Sequence, residues 1–410
     1  MIKPILFTLT IYLILFSCNK KNTDTIPSPE PGAPVAKIDM SATRQTIRGF
    51  GGATVFRPDL SDADVTALFG NAGDSQLGLS ILRIRVSPYG SSQWGPELSN
   101  AKRAKALGAI VMATPWSPPA SMKTNNNTTG GRLNPSSYAA YAAYLKSFSD
   151  YMGSNGAALY ALSVQNEPDI QVNYESCDWS AQEMTDFIRD NTFDLGSTKL
   201  MAAESFQFRQ PFTDAILNDA TAAAKVAIIG GHIYGGGLKK YDNALNKGKE
   251  VWMTEHLDTL TTWTSVLATA KEIHDCIAVA DYSAYIWWYL KRFYGPIDEN
   301  GQITKRGYVM AQFSKYIRPG YQRIDVSSPY PDVYISGWKG NGKLVMVAIN
   351  TSSTVKRTRL FISGGPAPGS ITPHITSGTQ NLTTETPVNV SDSGFTYNLP
   401  PSGIITFVSN

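Results

Sequence analysis

The chain has 410 residues, 42% of them apolar and 17% charged; that allows a sizeable core, exceeds one small domain and falls short of three. Its net charge of +3, with no long run of Lys or Arg, argues against nucleic acid as the main partner. The 20 Tyr, 16 Phe and 8 Trp serve packing first, but exposed rings also suit the flat apolar faces of sugars.

Lys3 precedes an apolar stretch over 4–16, followed by Ser17 and Cys18. A charged start and a short apolar run predict an export signal, too short for a comfortable membrane span. "LFSC" at 15–18 resembles a bacterial lipobox. The expectation is cleavage before Cys18 and a lipid anchor on it, holding an exported chain to the cell envelope at the outer membrane, on its periplasmic or its surface side. Residues 19–34 are polar and Pro-rich and read as a disordered tether. The remaining cysteines, Cys177 and Cys276, lie far apart, and two buried or partly buried free thiols are expected rather than a disulfide staple. Only four His occur, with no CxxC or HExxH, so neither a catalytic metal site nor a cofactor is indicated.

From residue 48, short apolar runs alternate with helical stretches. Strands are predicted at 49–54, 80–86, 109–114, 160–164, 199–203, 226–233, 250–254 and 283–288, with helices at 135–152, 180–190 and 262–276 among the connections. Eight strands with helical crossovers predict a (β/α)8 TIM barrel over 48–318. A doubly wound sheet is the alternative, but its usual Gly-rich phosphate turn is not matched by Gly49-Phe50-Gly51-Gly52. After Pro319 the helical periodicity stops. "DVYISGWKG", "KLVMVAIN", "TRLFIS" and "GIITFVSN" are short β segments separated by turn residues, and they predict an antiparallel β-sandwich over 319–410. Residues 35–47 read as a strand-like lead-in that joins this side domain, which then draws on both ends of the chain.

Barrels of this type carry their chemistry where the strands end. Glu167, in "LYALSVQNEPD", ends the fourth predicted strand, and Glu255, in "EVWMTEHLD", ends the seventh. Either alone could be a solvated or capping carboxylate. Together, with Asn166 just before the first, they match what glycoside hydrolysis requires: one carboxyl to protonate the leaving oxygen, another to attack or to activate water from the opposite side. Asn166 is then a partner for a sugar hydroxyl beside the reacting carbon, and Pro168 stiffens the exit.

"SVQNEPD" and "WMTEH" resemble the acid/base and nucleophile motifs of the retaining (β/α)8 glycosidases. "ATPWSPPASMKTN", "LYALSVQNEPD", "AAESFQF", "YIWWYLKRFYGPIDENGQITKRGYVMAQFSKYIRPGY" and "IITFVSN" more narrowly resemble glycoside hydrolase family 30, subfamily 8, the glucuronoxylan-specific endo-β-1,4-xylanases, in order from about residue 36 to the C-terminus. The resemblance implies Glu167 as general acid/base and Glu255 as nucleophile, with retention, and so carboxyls about 5–5.5 Å apart. It implies that Arg83, in "LRIRV", holds the nucleophile ionised; for the neighbouring Arg85 a structural salt bridge is the alternative. Trp116, Tyr234 and Trp288 (or Trp287) are candidate walls of the sugar site, and His232 is expected to be a hydrogen-bonded pocket residue, not a base.

In "WWYLKRFYG", Arg292 and Tyr294 fall where the glucuronoxylanases hold the carboxylate of a (methyl)glucuronic acid branch, with Lys291 adding positive potential. A surface Arg paired to an acidic neighbour is the alternative for Arg292. The loop after the nucleophile, "EHLDTLTTW", departs from the family: it is short, carries Leu257, and offers only Thr259, Thr261 and Thr262 in place of the usual Tyr- and Ser-bearing contacts. The implied activity is therefore a monomeric, cofactor-free endo-xylanase acting on glucuronoxylan, with weaker dependence on glucuronate than the family norm. The rivals are another retaining β-glycosidase of the family, such as a xylanase that ignores glucuronate, a β-1,6-glucanase or a glucosylceramidase-like enzyme, and a non-catalytic glycan-binding lipoprotein, against which the presence of both glutamates argues.

Overall fold

The computed structural model describes residues 32–57 and 59–410. The predicted export signal, the predicted lipobox at Cys18 and the predicted tether up to residue 31 lie outside the described residues. No helix among the described residues is long and apolar enough to cross a membrane.

Each of the eight predicted barrel strands forms and pairs in parallel with its neighbours: Gly49–Ala53, Ile81–Val86, Ile110–Pro115, Ala161–Ser163, Lys199–Ser205, Val226–His232, Glu250–Glu255 and Ala284–Tyr289. We refer to them below as the first to eighth barrel strands. The first pairs with both the second and the eighth, which closes the sheet. Close approach at this seam explains a glycine: a Cβ on Gly51 would stand 2.0 Å from the Ile81 carbonyl oxygen. The predicted fourth strand is the one most shortened. The chain leaves the ladder after Ser163, and Glu167 adopts a left-handed backbone with φ 45°, a conformation sparsely populated for non-glycine residues and found where function constrains the chain.

The barrel interior is filled in two layers. One is an apolar plug of Ile81, Met112, Ala161, Met201, Ile228, Trp252, Ala284 and Ile286. Side chains alternate along a strand, so Arg83 and His232, two and four residues beyond Ile81 and Ile228, also point inward, above the plug and toward the strand ends. Both are fully buried.

The chain after the barrel forms most of a ten-stranded sheet. Val35–Thr46 joins it, antiparallel to Gln322–Ser327 and parallel to Lys356–Ser363. The predicted antiparallel sandwich is thus one mixed sheet curled on itself: Phe395 and Phe407, on strands at different places in the sheet order, meet edge to face with ring centroids 5.3 Å apart in a core of their own. Helix Lys305–Ser314 lies between barrel and sheet. Gln312 donates to Thr376 Oγ1 at 2.8 Å and its carbonyl accepts from Thr406 at 2.6 Å, while Phe313 packs on Trp338. Helix Trp263–His274 is shorter than predicted and ends in a π turn at Asp275–Val279. Cys177 and Cys276 are free and buried, as expected.

Candidate active site

At the C-terminal ends of the barrel strands a cleft of about 370 Å³ is lined by Phe56, Trp116, Glu167, Tyr174, Phe206, Tyr234, Glu255, Leu257, Trp288 and Tyr289. The two glutamates predicted from the fourth and seventh strands face one another across it. Reactive atoms of Glu167, Glu255 and His232 all lie within 4.8 Å of each other.

Arg83 organises the floor. Its guanidinium, with no exposed surface, donates to Glu255 Oε2 at 2.5 Å, to Asn166 Oδ1 at 2.8 Å and to Glu204 Oε1 at 3.1 Å. It also lies against the ring of Trp116, 4.7 Å from its centroid. Burial alone would disfavour this cation, but Glu204 and Glu255 more than offset that and push it up. Trp116 is fixed in turn from the fourth strand end, where Gln165 Nε2 donates to its carbonyl at 2.7 Å. That local duty explains the Gln before Asn166-Glu167.

Glu255 accepts from Arg83 on one oxygen and from the Tyr234 hydroxyl at 2.9 Å on the other. Burial raises this carboxyl above the usual range, against the pull of His232 and Arg83. Glu167 is bonded on both oxygens: His232 Nδ1 lies 3.0 Å from Oε1, and the Tyr174 hydroxyl donates to Oε2 at 2.9 Å. Burial would raise Glu167, but His232, Tyr174 and Arg83 hold it below the usual range. Burial would likewise lower His232. The surrounding Glu255, Glu167 and Glu204 instead push it up to about 9. The carboxylates around His232 thus favour its protonated form, which fits a hydrogen-bonded pocket residue.

The other predicted residues divide. Trp288 lines the cleft, 5.7 Å from Trp116 between centroids; Trp287 is buried and packs on Arg306. Tyr234 stacks on Phe206. Arg85 is in an ion pair with Glu175, the structural alternative. Arg292 and Tyr294 stand beside the cleft but do not line it. The Arg292 side chain is 27% exposed, has Glu299 at 3.5 Å, and lies 5.9 Å from the Tyr294 ring centroid. Its buried Nε has no hydrogen-bond partner. Lys291 does not add to the potential as predicted: it pairs at 2.7 Å with the buried Asp64 of helix Asp62–Phe69. Arg57 is a further cation nearby, its guanidinium 5.8 Å from the Tyr289 ring centroid. Thr259, Thr261 and Thr262 are solvent-exposed or nearly so, while Leu257 lines the cleft.

Sequence reasoning did not single out Glu204, Tyr174, Phe56, Phe206, Tyr289 or Arg57. Glu204 had a signal, since it follows an apolar strand in "AAESFQF" just as Glu167 and Glu255 follow theirs. Tyr174 had none, because it lies in an irregular loop seven residues beyond Glu167.

Three comparisons bear on this geometry. Residues 91–274 match the glycosyl hydrolase family 30 TIM-barrel domain. Over 390 residues the chain is 41% identical to the glucuronoxylanase XynC of Bacillus subtilis, covering 91% of each chain. It superposes on the family 30 subfamily 8 xylanase Xyn30A of Clostridium acetobutylicum with a TM-score of 0.88 at 42% identity, over 92% of this chain and 99% of that one. A family 30 endoxylanase of Clostridium papyrosolvens C71 gives 0.85 at 38% identity, over 92% and 100%. A barrel with a side β domain, two carboxyls at the fourth and seventh strand ends, and these similarities over nine-tenths of the chain together place the protein: it is a glycoside hydrolase and belongs to family 30.

Proposed function

We propose that the protein is a retaining endo-β-1,4-xylanase that hydrolyses glucuronoxylan. The observation that carries the chemistry is the placement of Glu167 and Glu255 with an oxygen of each within 4.8 Å of the other, a close pairing that supports double displacement. Glu255 attacks the anomeric carbon as Glu167 protonates the leaving oxygen. Glu167 then takes a proton from water, and that water releases the sugar from Glu255. Arg83 and the Tyr234 hydroxyl each donate one hydrogen bond to Glu255, and the Arg83 cation opposes the rise that burial imposes on this carboxyl. Asn166 gives its carbonyl oxygen to Arg83, which leaves its amide nitrogen for a sugar hydroxyl. Trp116 and Trp288 form apolar walls.

The substrate reading is supported by the names of the relatives, which include a glucuronoxylanase, and by Arg292 and Tyr294. A partly exposed arginine beside a phenol suits a uronate carboxylate. The short loop after Glu255 favours a second reading, that undecorated or arabinose-bearing xylan is also cut. We further infer from the first 18 residues that the enzyme is exported and lipid-anchored through Cys18. Product analysis tests the specificity. Wild type should release products carrying one uronic acid each from glucuronoxylan, with the β-anomer formed first by NMR, and Arg292→Ala should lose that pattern. Equal cleavage of glucuronoxylan, arabinoxylan and linear xylo-oligosaccharides, unaffected by Arg292→Ala, would remove the uronate from the account and leave the two glutamates.

A further inference from the structure

Both oxygens of Glu167 are met by neighbours, His232 on Oε1 and Tyr174 on Oε2. Each donor takes one lone pair of the oxygen it meets, and both bonds favour the ionised carboxyl, so a proton on Glu167 competes with them. The donor that is less firmly held is the one a substrate can displace. His232 is fully buried and held among Glu167, Glu204 at 3.8 Å and Glu255 at 3.9 Å. Tyr174 is 45% exposed and lines the cleft.

The loop is built for such a movement. Residues 171–174 are largely exposed, whereas the chain just after them is anchored. Glu175 pairs with Arg85 and bridges to Thr129, the Ser176 amide donates to the Thr128 carbonyl at 2.9 Å, and Lys123 Nζ donates to the Ser176 carbonyl at 2.5 Å. The base of the tyrosine is fixed; its ring stands in the space a sugar would fill.

Resting on the assignment of Glu167 as acid/base, we propose that Tyr174 is a removable cap on it: the phenol holds Oε2 while the cleft is empty, and an entering sugar displaces it. On displacement the O–H···Oε2 bond breaks and the phenol turns to a sugar hydroxyl or water. Oε2 takes up one proton from solvent and passes it to the glycosidic oxygen as the bond from that oxygen to the anomeric carbon breaks and the bond from Glu255 forms. The cap is a positioning group and takes no part in bond making. The groups facing Glu167 are His232 from the sixth strand end, Arg83 from the second, Glu204 from the fifth, Glu255 from the seventh, and Tyr174 from its own loop. Of these only Tyr174 is more than a few per cent exposed. The Tyr174 hydroxyl is itself pushed up by burial and by Glu167, so it remains a donor throughout the working range.

The test is the pH dependence of hydrolysis of a glucuronic acid-bearing xylo-oligosaccharide by wild type and Tyr174→Phe. The profile of kcat/KM reports the free enzyme and that of kcat the complex. Removing a hydrogen bond to the ionised carboxyl should move the basic limb of kcat/KM up by about one pH unit and leave the basic limb of kcat where it is. If both limbs move together, Tyr174 stays bonded throughout catalysis; if neither moves, it does not control Glu167. Either result overturns the cap. Glu167→Ala in the same assay separates this from the underlying assignment. If that variant still hydrolyses the oligosaccharide at the wild-type rate, the acid/base reading fails; if it is inactive and only the Tyr174→Phe shift is missing, the cap alone fails.

Discussion

The floor and the rim of the cleft are held in opposite ways. On the floor, Arg83, Glu204 and His232 have no exposed surface, and Arg83 alone serves three acceptors. On the rim, Arg292 is 27% exposed with one loose acidic neighbour, Phe293 is 49% exposed, and Leu260 is 62% exposed. Strand-borne groups in a dry network stay preorganised, because each charge depends on the others for its compensation. Loop-borne groups keep partners that a substrate can replace at little cost. On the proposed reading, chemistry sits on the first kind of support and selectivity on the second.

The sharpest way to break this contrast is at the floor. Glu255→Gln should lower kcat by about 10⁴-fold or more, since the residues of such a site act as a unit; a variant retaining a tenth of the rate would remove Glu255 as nucleophile. Arg83→Ala leaves Glu204 buried without its cation, and should cost about 3–5 kcal/mol of stability in a denaturant titration as well as most of the activity. A rim change should be milder and substrate-selective. Arg292→Ala should lower kcat/KM by about 10–100-fold on uronate-bearing substrate, the worth of one charged hydrogen-bonded contact, and by little on linear xylo-oligosaccharides.

His232 offers a pH test of the floor. Its folded value, pushed up to about 9 from an ordinary 6.5, means that the folded state holds its proton more tightly than the unfolded chain. That contribution is fully present below pH 6.5 and is lost as pH rises through about 9, amounting to about 3 kcal/mol. Denaturation midpoints measured from pH 6 to pH 10 should fall in wild type, and His232→Gln should flatten that fall. The smallest effect is expected at the edge of the rim. Leu260→Ser should change stability by within about 0.5 kcal/mol, and a larger loss would show that the exposed loop after Glu255 is packed more tightly than its surface suggests.

Much of this was legible in one dimension. Period-two and continuous apolar runs between turn residues mark the barrel strands, and the carboxylates stand out because a buried strand such as that before Glu167 ends on a charge with no local partner. The limits were local. Lys291 reads as a cleft cation because it adjoins Arg292, yet neighbours in a turn face different ways, and Asp64, 227 residues earlier, takes its charge. Trp287 and Trp288 could not be told apart until strand parity in the closed barrel aimed one outward into the helical layer and the other into the cleft.

The sequence by itself determined the eight-strand repeat, the side β domain and the two catalytic candidates at strand ends four and seven, because strand periodicity and strand termini are properties of contiguous residues. Only the tertiary structure decided who surrounds those glutamates. Tyr174, Glu204, His232 and Arg83 come from separate crossings of the barrel, and the closure of the sheet, which no local pattern encodes, gathers them around the two glutamates: Tyr174 and His232 on Glu167, Arg83 on Glu255 and Glu204.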